Sequence, residues 1–171
     1  CFDRAVKIYP KYSLAWYNKG NVLNGLKKYK EAIECYDKAL EINSKYSDAW
    51  CGKGKALDEL GQYDEAIKST EKAIECQSDN IIARYNKGII FYHLKRYKEA
   101  ILPMNKVVEL DSDYKNVRYY LASLYTIEGE KDDAIYNLRR AIETYPTIKK
   151  SVMNDNDFEK IWNDEDFKKL V

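Results

Sequence analysis

Residues 15–44, AWYNKGNVLNGLKKYKEAIECYDKALEINS, align without a gap on residues 49–78, AWCGKGKALDELGQYDEAIKSTEKAIECQS. A shift of 34 positions carries Trp16 onto Trp50 and Gly20 onto Gly54 and Gly88. It also carries Tyr29 onto Tyr63 and Tyr97, and Ala32 onto Ala66, Ala100 and Ala134. Self-similarity at one fixed period marks a repeat array, whose units bury their apolar faces on one another. The period predicts repeats at 13–46, 47–80, 81–114 and 115–148 within an array spanning 1–148.

Inside each repeat the apolar residues recur at helical spacing in two bursts, as in Trp16, Gly20, Leu23 and then Ala32, Tyr36, Ala39, around a short polar turn at Lys27 and Lys28. Each repeat is therefore predicted to be a pair of antiparallel helices, an all-α chain. Gly20 and Ala32 are small where the two helices must approach to about 8 Å, and a large side chain there would push the hairpin open. Between repeats, Ser47, or Asp79 with Asn80, is placed to accept from the first free amides of the next helix. Glu34 with Lys38 and Asp64 with Lys68 are spaced for weak pairs on solvated helix faces. Pro103 falls inside a second helix, where it is expected to kink the chain on the convex side.

The two ends differ. Phe2, Ala5 and Val6 followed by Pro10 repeat the spacing of Tyr36, Ala39 and Leu40 followed by Ser44. Residues 1–12 are thus predicted to be the second helix of a truncated repeat, with an open apolar face suited to self-association, and the chain is expected to be a piece of a longer protein. Past Pro146 the frame is lost, and 149–171 places Phe158 four residues before Trp162 and Phe167 three before Leu170. These residues are predicted to form capping helices that cover the last hairpin, with Asp155, Asp157, Asp164, Glu165 and Asp166 outward in water; a docking motif is the alternative.

Composition agrees with a folded helical chain and narrows the chemistry. The net charge of +1 with mixed signs offers no broad attraction for nucleic acid or an anionic membrane, and no apolar run is long enough for a membrane helix. Cys1, Cys35, Cys51 and Cys76 are scattered without a C-x-x-C pair, and His93 is the only histidine. No zinc site, disulfide framework or serine triad can be assembled from them. Reduced thiols suit an intracellular, cytoplasmic setting. No glycine-rich phosphate loop is present, so no cofactor is expected.

The 34-residue frame resembles the tetratricopeptide repeat, with its W-x-x-L-G-x-x-Y, A-x-x-x-F and P signature. Arg84 and Arg118 replace the tryptophan, Ala122 the glycine, Lys19, Lys53 and Lys87 the leucine, and Ser44, Ser78 and Ser112 the proline. The resemblance implies a right-handed superhelical solenoid whose first helices line a concave peptide-binding groove. Carried over position by position, that groove comprises Leu14, Tyr17, Asn18 and Asn21; Asp48, Cys51, Gly52 and Lys55; Ile82, Tyr85, Asn86, Ile89 and Tyr92; and Asn116, Tyr119, Tyr120 and Ser123. Asparagine amides both donate and accept, which suits an extended peptide backbone, and tyrosines supply flat apolar area with a polar tip. The same tyrosines also fit a role in packing between repeats.

The lysine, asparagine and arginine set with which co-chaperones of this family clamp a terminal carboxylate is missing: the equivalent positions hold Tyr17, Asn21, Gly52, Ile82 and Asn86, or, one repeat on, Cys51, Lys55, Asn86, Asn116 and Tyr120. Cys51 has no base beside it to make a nucleophile. The resulting expectation is a non-enzymatic module that holds a peptide or helix of another protein. Self-association through the open first helix and a docking arm of a larger enzyme are the alternatives. An RNA-binding array lacks its basic stripe.

Overall fold

In a computed structural model, residues 12–114 and 116–171 are described, and all their regular structure is helical. The helix expected over 1–12, with Phe2, Ala5, Val6 and Pro10, lies outside them except for Tyr12, as does Cys1. Four helix pairs follow: α1 (Ser13–Gly25) with α2 (Tyr29–Ile42), α3 (Ser47–Glu59) with α4 (Tyr63–Cys76), α5 (Ile81–His93) with α6 (Tyr97–Leu110), and α7 (Val117–Glu128) with α8 (Lys131–Thr144). After them come 3-10 turns at Pro146–Ile148 and Asn156–Ile161 and the short helices α9 (Lys149–Val152) and α10 (Glu165–Leu170). The chain divides into two compact units, Cys1–Ile90 and Phe91–Val171.

Each second helix buries the same register. Ala32, Ala66, Ala100 and Ala134 have no exposed surface, and neither do Tyr36, Thr70, Met104 and Leu138 one turn further on. The large member of this series is accommodated by glycine. A Cβ on Gly20 or on Gly52 would lie 2.7 Å from the Tyr36 ring, and one on Gly54 would lie 2.9 Å from Thr70 Cγ2 and 3.3 Å from the Ala66 carbonyl. Glycine at these helical positions costs about 1 kcal/mol of intrinsic propensity, which the buried aromatic more than offsets.

The turn within each pair is built the same way four times. Lys27, Gly61, Lys95 and Gly129 all have left-handed backbones, with φ of 59°, 73°, 59° and 85°. The next amide then closes the helix: Lys28, Gln62, Arg96 and Glu130 donate to the carbonyls of Leu23, Leu57, Phe91 and Tyr125 at 2.8–2.9 Å, the bond of a Schellman ending. Two of the four positions thus carry lysine where glycine is the strain-free residue.

The departures from the repeat signature have local reasons. Trp50 Nε1 donates to the Ser44 carbonyl at 2.9 Å; Arg84 Nη2 reaches the carbonyl of Ser78 at 2.5 Å and Arg118 Nε that of Ser112 at 3.1 Å. Arginine therefore makes the same six-residue back-reach as the indole. Lys53 and Lys87, on leucine positions, reach Asp37 at 2.6 Å and Glu71 at 2.7 Å on the preceding pair. Lys38 does not pair with Glu34 but lies 4.4 Å from the Trp16 ring centroid.

Two local expectations need correction. Asn80 does cap α5, accepting from the Ala83 amide at 2.9 Å, but Ser47 does not cap α3. Its hydroxyl instead donates to the Ala73 carbonyl and accepts from Asn80 Nδ2, each at 2.8 Å, so a buried polar link ties α3 to the end of α4 and the start of α5. Pro103 is buried, not on an open convex surface, and α6 runs through it as one helix. Its equivalents Cys35, Ser69 and Asn137 are buried too, and Ser69 and Asn137 back-bond to the carbonyls of Glu65 and Asp133, four residues earlier.

In the second unit, Val152, Phe158, Ile161 and Phe167 pack into one cluster with Ala122, Ala134, Ile135, Leu138 and Ile142. The apolar residues of the tail therefore close the last hairpin. The acidic residues divide: Asp164 caps α10, accepting from the amides of Asp166 and Phe167, and pairs with Lys131 at 3.0 Å, while Glu165 and Asp166 are exposed. Asp155 and Asp157 turn inward, against the expectation of an outward acidic face.

Replacing Lys27 or Lys95 by glycine is expected to raise unfolding stability by about 0.5–1 kcal/mol, because relief of left-handed strain exceeds the added chain entropy. Gly61→Lys should cost a similar amount in the same denaturant titration. Arg84→Ala is expected to lose about 1 kcal/mol with the carbonyl left unpaired. Arg84→Trp should recover it in the thermal melt, since the indole N–H can reach the same carbonyl and the buried, unpartnered Arg84 Nε is removed.

Candidate peptide-binding groove

In the first unit the first helices of successive pairs frame an open cleft of about 170 Å³, lined by Tyr17, Asn21, Asn24, Tyr36, Asp48, Cys51, Gly52, Lys55, Ile82 and Asn86. The 34-residue frame thus brings the predicted Tyr17, Asn21, Cys51, Lys55, Ile82 and Asn86 together. Asn18, Tyr85 and Ile89 are half-buried and do not line it, and Leu14 is exposed outside it. Tyr36 and Asn24 complete the lining and were not legible from the first-helix positions. Tyr36 belongs to α2 and reaches the cleft because Gly52 leaves room for its phenol end. A glycine where the other repeats hold Asn18, Asn86 and Tyr120 is the sequence signal for that approach.

The floor is fixed by its own bonds. Tyr36 Oη donates to Asn21 Oδ1 at 2.8 Å, and the exposed Asn21 side chain also hydrogen-bonds Tyr17. The Tyr17 ring sits between Tyr36 and Tyr46, with centroids 6.2 and 5.1 Å away. Burial raises the pKa of Tyr17 and of Tyr36, and takes Tyr46 to about 12, so all three are neutral hydroxyls at ordinary pH. Asn86 Nδ2 donates to Cys51 Sγ at 3.3 Å. Asn24 Oδ1 is buried and has no hydrogen-bond partner among the described residues. Lys55 and Asp48, both exposed, bring one charge of each sign to the rim, so the cleft is close to neutral.

The predicted residues of the second unit have a different fate. Tyr92 and Ser123 both donate to the Asp157 carboxylate, and Tyr119 donates to Asp155. Tyr120 packs edge-on to Tyr92 and Tyr119, with centroids 5.7 and 6.2 Å apart. Asn116 lines, with Tyr119, Arg118, Thr144 and Tyr145, a crevice of about 10 Å³, room for no more than a water. The chain's own residues after Val152 therefore occupy the inner face that Tyr92, Tyr119 and Ser123 form.

Among the described residues, no group of three or more His, Cys, Asp and Glu side chains is arranged to hold a metal, and no helix is long and apolar enough to cross a membrane. His93 is exposed and lies edge-on to Tyr92 at 6.4 Å.

Tetratricopeptide-repeat family profiles match residues 13–46, 47–80, 81–114 and 117–147, and the chain belongs to the tetratricopeptide repeat family. Membership places it in a class of protein-interaction repeats. Among solved structures it is similar to YrrB, described as a TPR protein with an unusual peptide-binding site, at 24% identity and a TM-score of 0.80 over 99% of this chain and 88% of that one. MamA from Desulfovibrio magneticus aligns at 19% identity and a TM-score of 0.79 over 92% and 88%. The first TPR of Spaghetti, bound to the HSP90 peptide SRMEEVD, aligns at 21% identity and a TM-score of 0.66 over 68% and 93%. These likenesses are of fold. No curated protein matches the sequence.

The burial pattern orders the thiols. Cys76 is exposed, whereas Cys35 and Cys51 are buried at 5% and 4% exposure. Among the described thiols, iodoacetamide followed by mass spectrometry is expected to modify Cys76 in the folded chain and to reach Cys35 and Cys51 only under unfolding conditions; fast labelling of Cys51 in the folded chain would contradict its placement.

Proposed function

We propose that the chain is a non-catalytic protein-interaction module that holds an extended, near-neutral peptide of another protein in the cleft of its first unit. The observation that carries this is the pairing, in one open cleft, of exposed polar side chains with apolar area. Asn21, exposed and with a second N–H beyond its bond to Tyr17, offers a donor to a peptide backbone, Asp48 and Lys55 offer an acceptor and a donor, and Tyr17 and Ile82 offer contact surface.

The charge pattern supports a ligand without a dominant acidic terminus. Lys55 is the only cation lining the cleft and Asp48 opposes it, so the set needed to clamp a terminal carboxylate is not assembled there. The SRMEEVD peptide of the Spaghetti complex is thus a poor template for this ligand. The non-catalytic reading is supported by the chemistry of Cys51, which is buried beside the Asn86 amide with no acid or base lining the cleft other than Asp48, Lys55 and phenols.

A random peptide library displayed on phage and selected on the full chain supplies ligands for the test. Selected peptides, measured by titration calorimetry, are expected to bind a Lys55→Ala/Ile82→Ala variant at least tenfold more weakly. Both side chains are exposed, so the variant should melt like the wild type. Peptides that bind both proteins alike would exclude this cleft as the working surface.

A further inference from the structure

The inner face of the second unit has chemistry beyond the closure of an apolar end. Val152, Phe158, Ile161 and Phe167 suffice to cover Ala122, Ala134 and Leu138. Asp155 caps the turn that carries Phe158 and Ile161, but the bonds that Asp155 and Asp157 accept from Tyr119, Tyr92 and Ser123 are no part of that cap, and both carboxylates are drawn in to half-burial. Asp157 receives the hydroxyls of Tyr92 and Ser123 on one oxygen, and Asp155 receives Tyr119 on one oxygen and the Asp157 amide on the other. Neither carboxylate pairs with a cation among the described residues. Hydroxyls that donate to carboxylates make strong, directional bonds, and here they come from different first helices, α5 and α7, aimed at two acids spaced two residues apart. The Phe158 ring then enters edge-on to Tyr119, with centroids 5.5 Å apart. This is how a groove reads a peptide: spaced polar contacts and one aromatic anchor.

We propose that Tyr92, Tyr119 and Ser123 form a recognition site for acidic Asp-x-Asp-aromatic peptides, which residues 155–158 of the chain occupy in cis as an exchangeable internal ligand. Two like charges brought together with no cation give the internal ligand a built-in repulsion. Its advantage over a free peptide is the local concentration that tethering provides, about millimolar for a short linker. A partner carrying the same pattern therefore gains the site when it binds more tightly than the tethered segment does. The site is separate from the first-unit cleft, and its test is independent of that one.

The probe is a fluorescein-labelled peptide of residues 152–163, VMNDNDFEKIWN, titrated into the full chain and followed by anisotropy. An Asp155→Ala/Asp157→Ala chain should bind it at least tenfold more tightly than wild type does. Adding Tyr92→Phe and Tyr119→Phe should abolish that gain, and a peptide with both aspartates changed to asparagine should bind at least tenfold more weakly. A folded double variant that does not bind the peptide, or binds it regardless of its aspartates, overturns the proposal. Hydrogen exchange on the wild type covers the case in which the double variant does not fold. Amides of 155–163 should exchange at least tenfold faster than those around Leu138 in α8, and equal rates would show a fixed cap and overturn the proposal. A wild-type dimer that trades these segments between copies would overturn cis occupancy.

Discussion

Everything in this chain depends on the close approach of the two helices within each repeat. Ala32, Ala66, Ala100 and Ala134 are completely buried at that approach, and any larger residue would have to displace the partner helix. The approach sets where the next buried side chain falls, and so decides that Tyr36, Thr70, Met104 and Leu138 form the interior. Different volumes at this second position are then balanced by the opposing residue, as Gly20 and Gly52 make way for Tyr36 and Gly54 for Thr70. The cleft of the first unit is a by-product of this packing, since its floor is the far side of the Tyr36 phenol.

The repeat was legible because its period is carried by residues with one physical task each. Alanine at the helix crossing, glycine where the second helix comes close, as at Gly20 and Gly54, and tyrosine at the head of each of the first three second helices cannot be exchanged freely, so they recur in register. The positions that drifted are those where chemistry has more than one solution. Trp50, Arg84 and Arg118 all reach the carbonyl six residues back, and only a donor of sufficient length is needed. Lys53 and Lys87 replace a packed leucine because a carboxylate waits on the preceding pair. Neither equivalence is visible in a list of residue types, because the partner is a backbone oxygen or an acid 16 residues away.

The candidate site was only half legible, for a similar reason. Positional transfer from the family selects first-helix residues, and it located Tyr17, Asn21, Cys51, Lys55, Ile82 and Asn86 on one cleft. It could not select Tyr36, which arrives from a second helix, nor Asn24, which sits one turn beyond the usual positions. In the second unit it named Tyr92, Tyr119 and Ser123 but could not reveal that Asp155 and Asp157 of the tail accept bonds from them. Acidic residues just before an aromatic read as a wetted turn, and only the three-dimensional path of the tail shows Asp155 and Asp157 against phenols.

The Ser47 link bears on how the first unit responds to load. A solenoid whose repeats touch only through apolar faces can be peeled from an end, one hairpin at a time. Here the hydroxyl of Ser47 is bonded at once to the carbonyl that ends α4 and to the side chain that starts α5. Lifting α5 strips a buried hydroxyl of its donor, and lifting α3 takes from the Ala73 carbonyl its second partner beside the Gln77 amide, so neither helix can leave without disturbing the other two. The joint behaves as a bolt through three helices, and the chain around it yields as one mechanical piece.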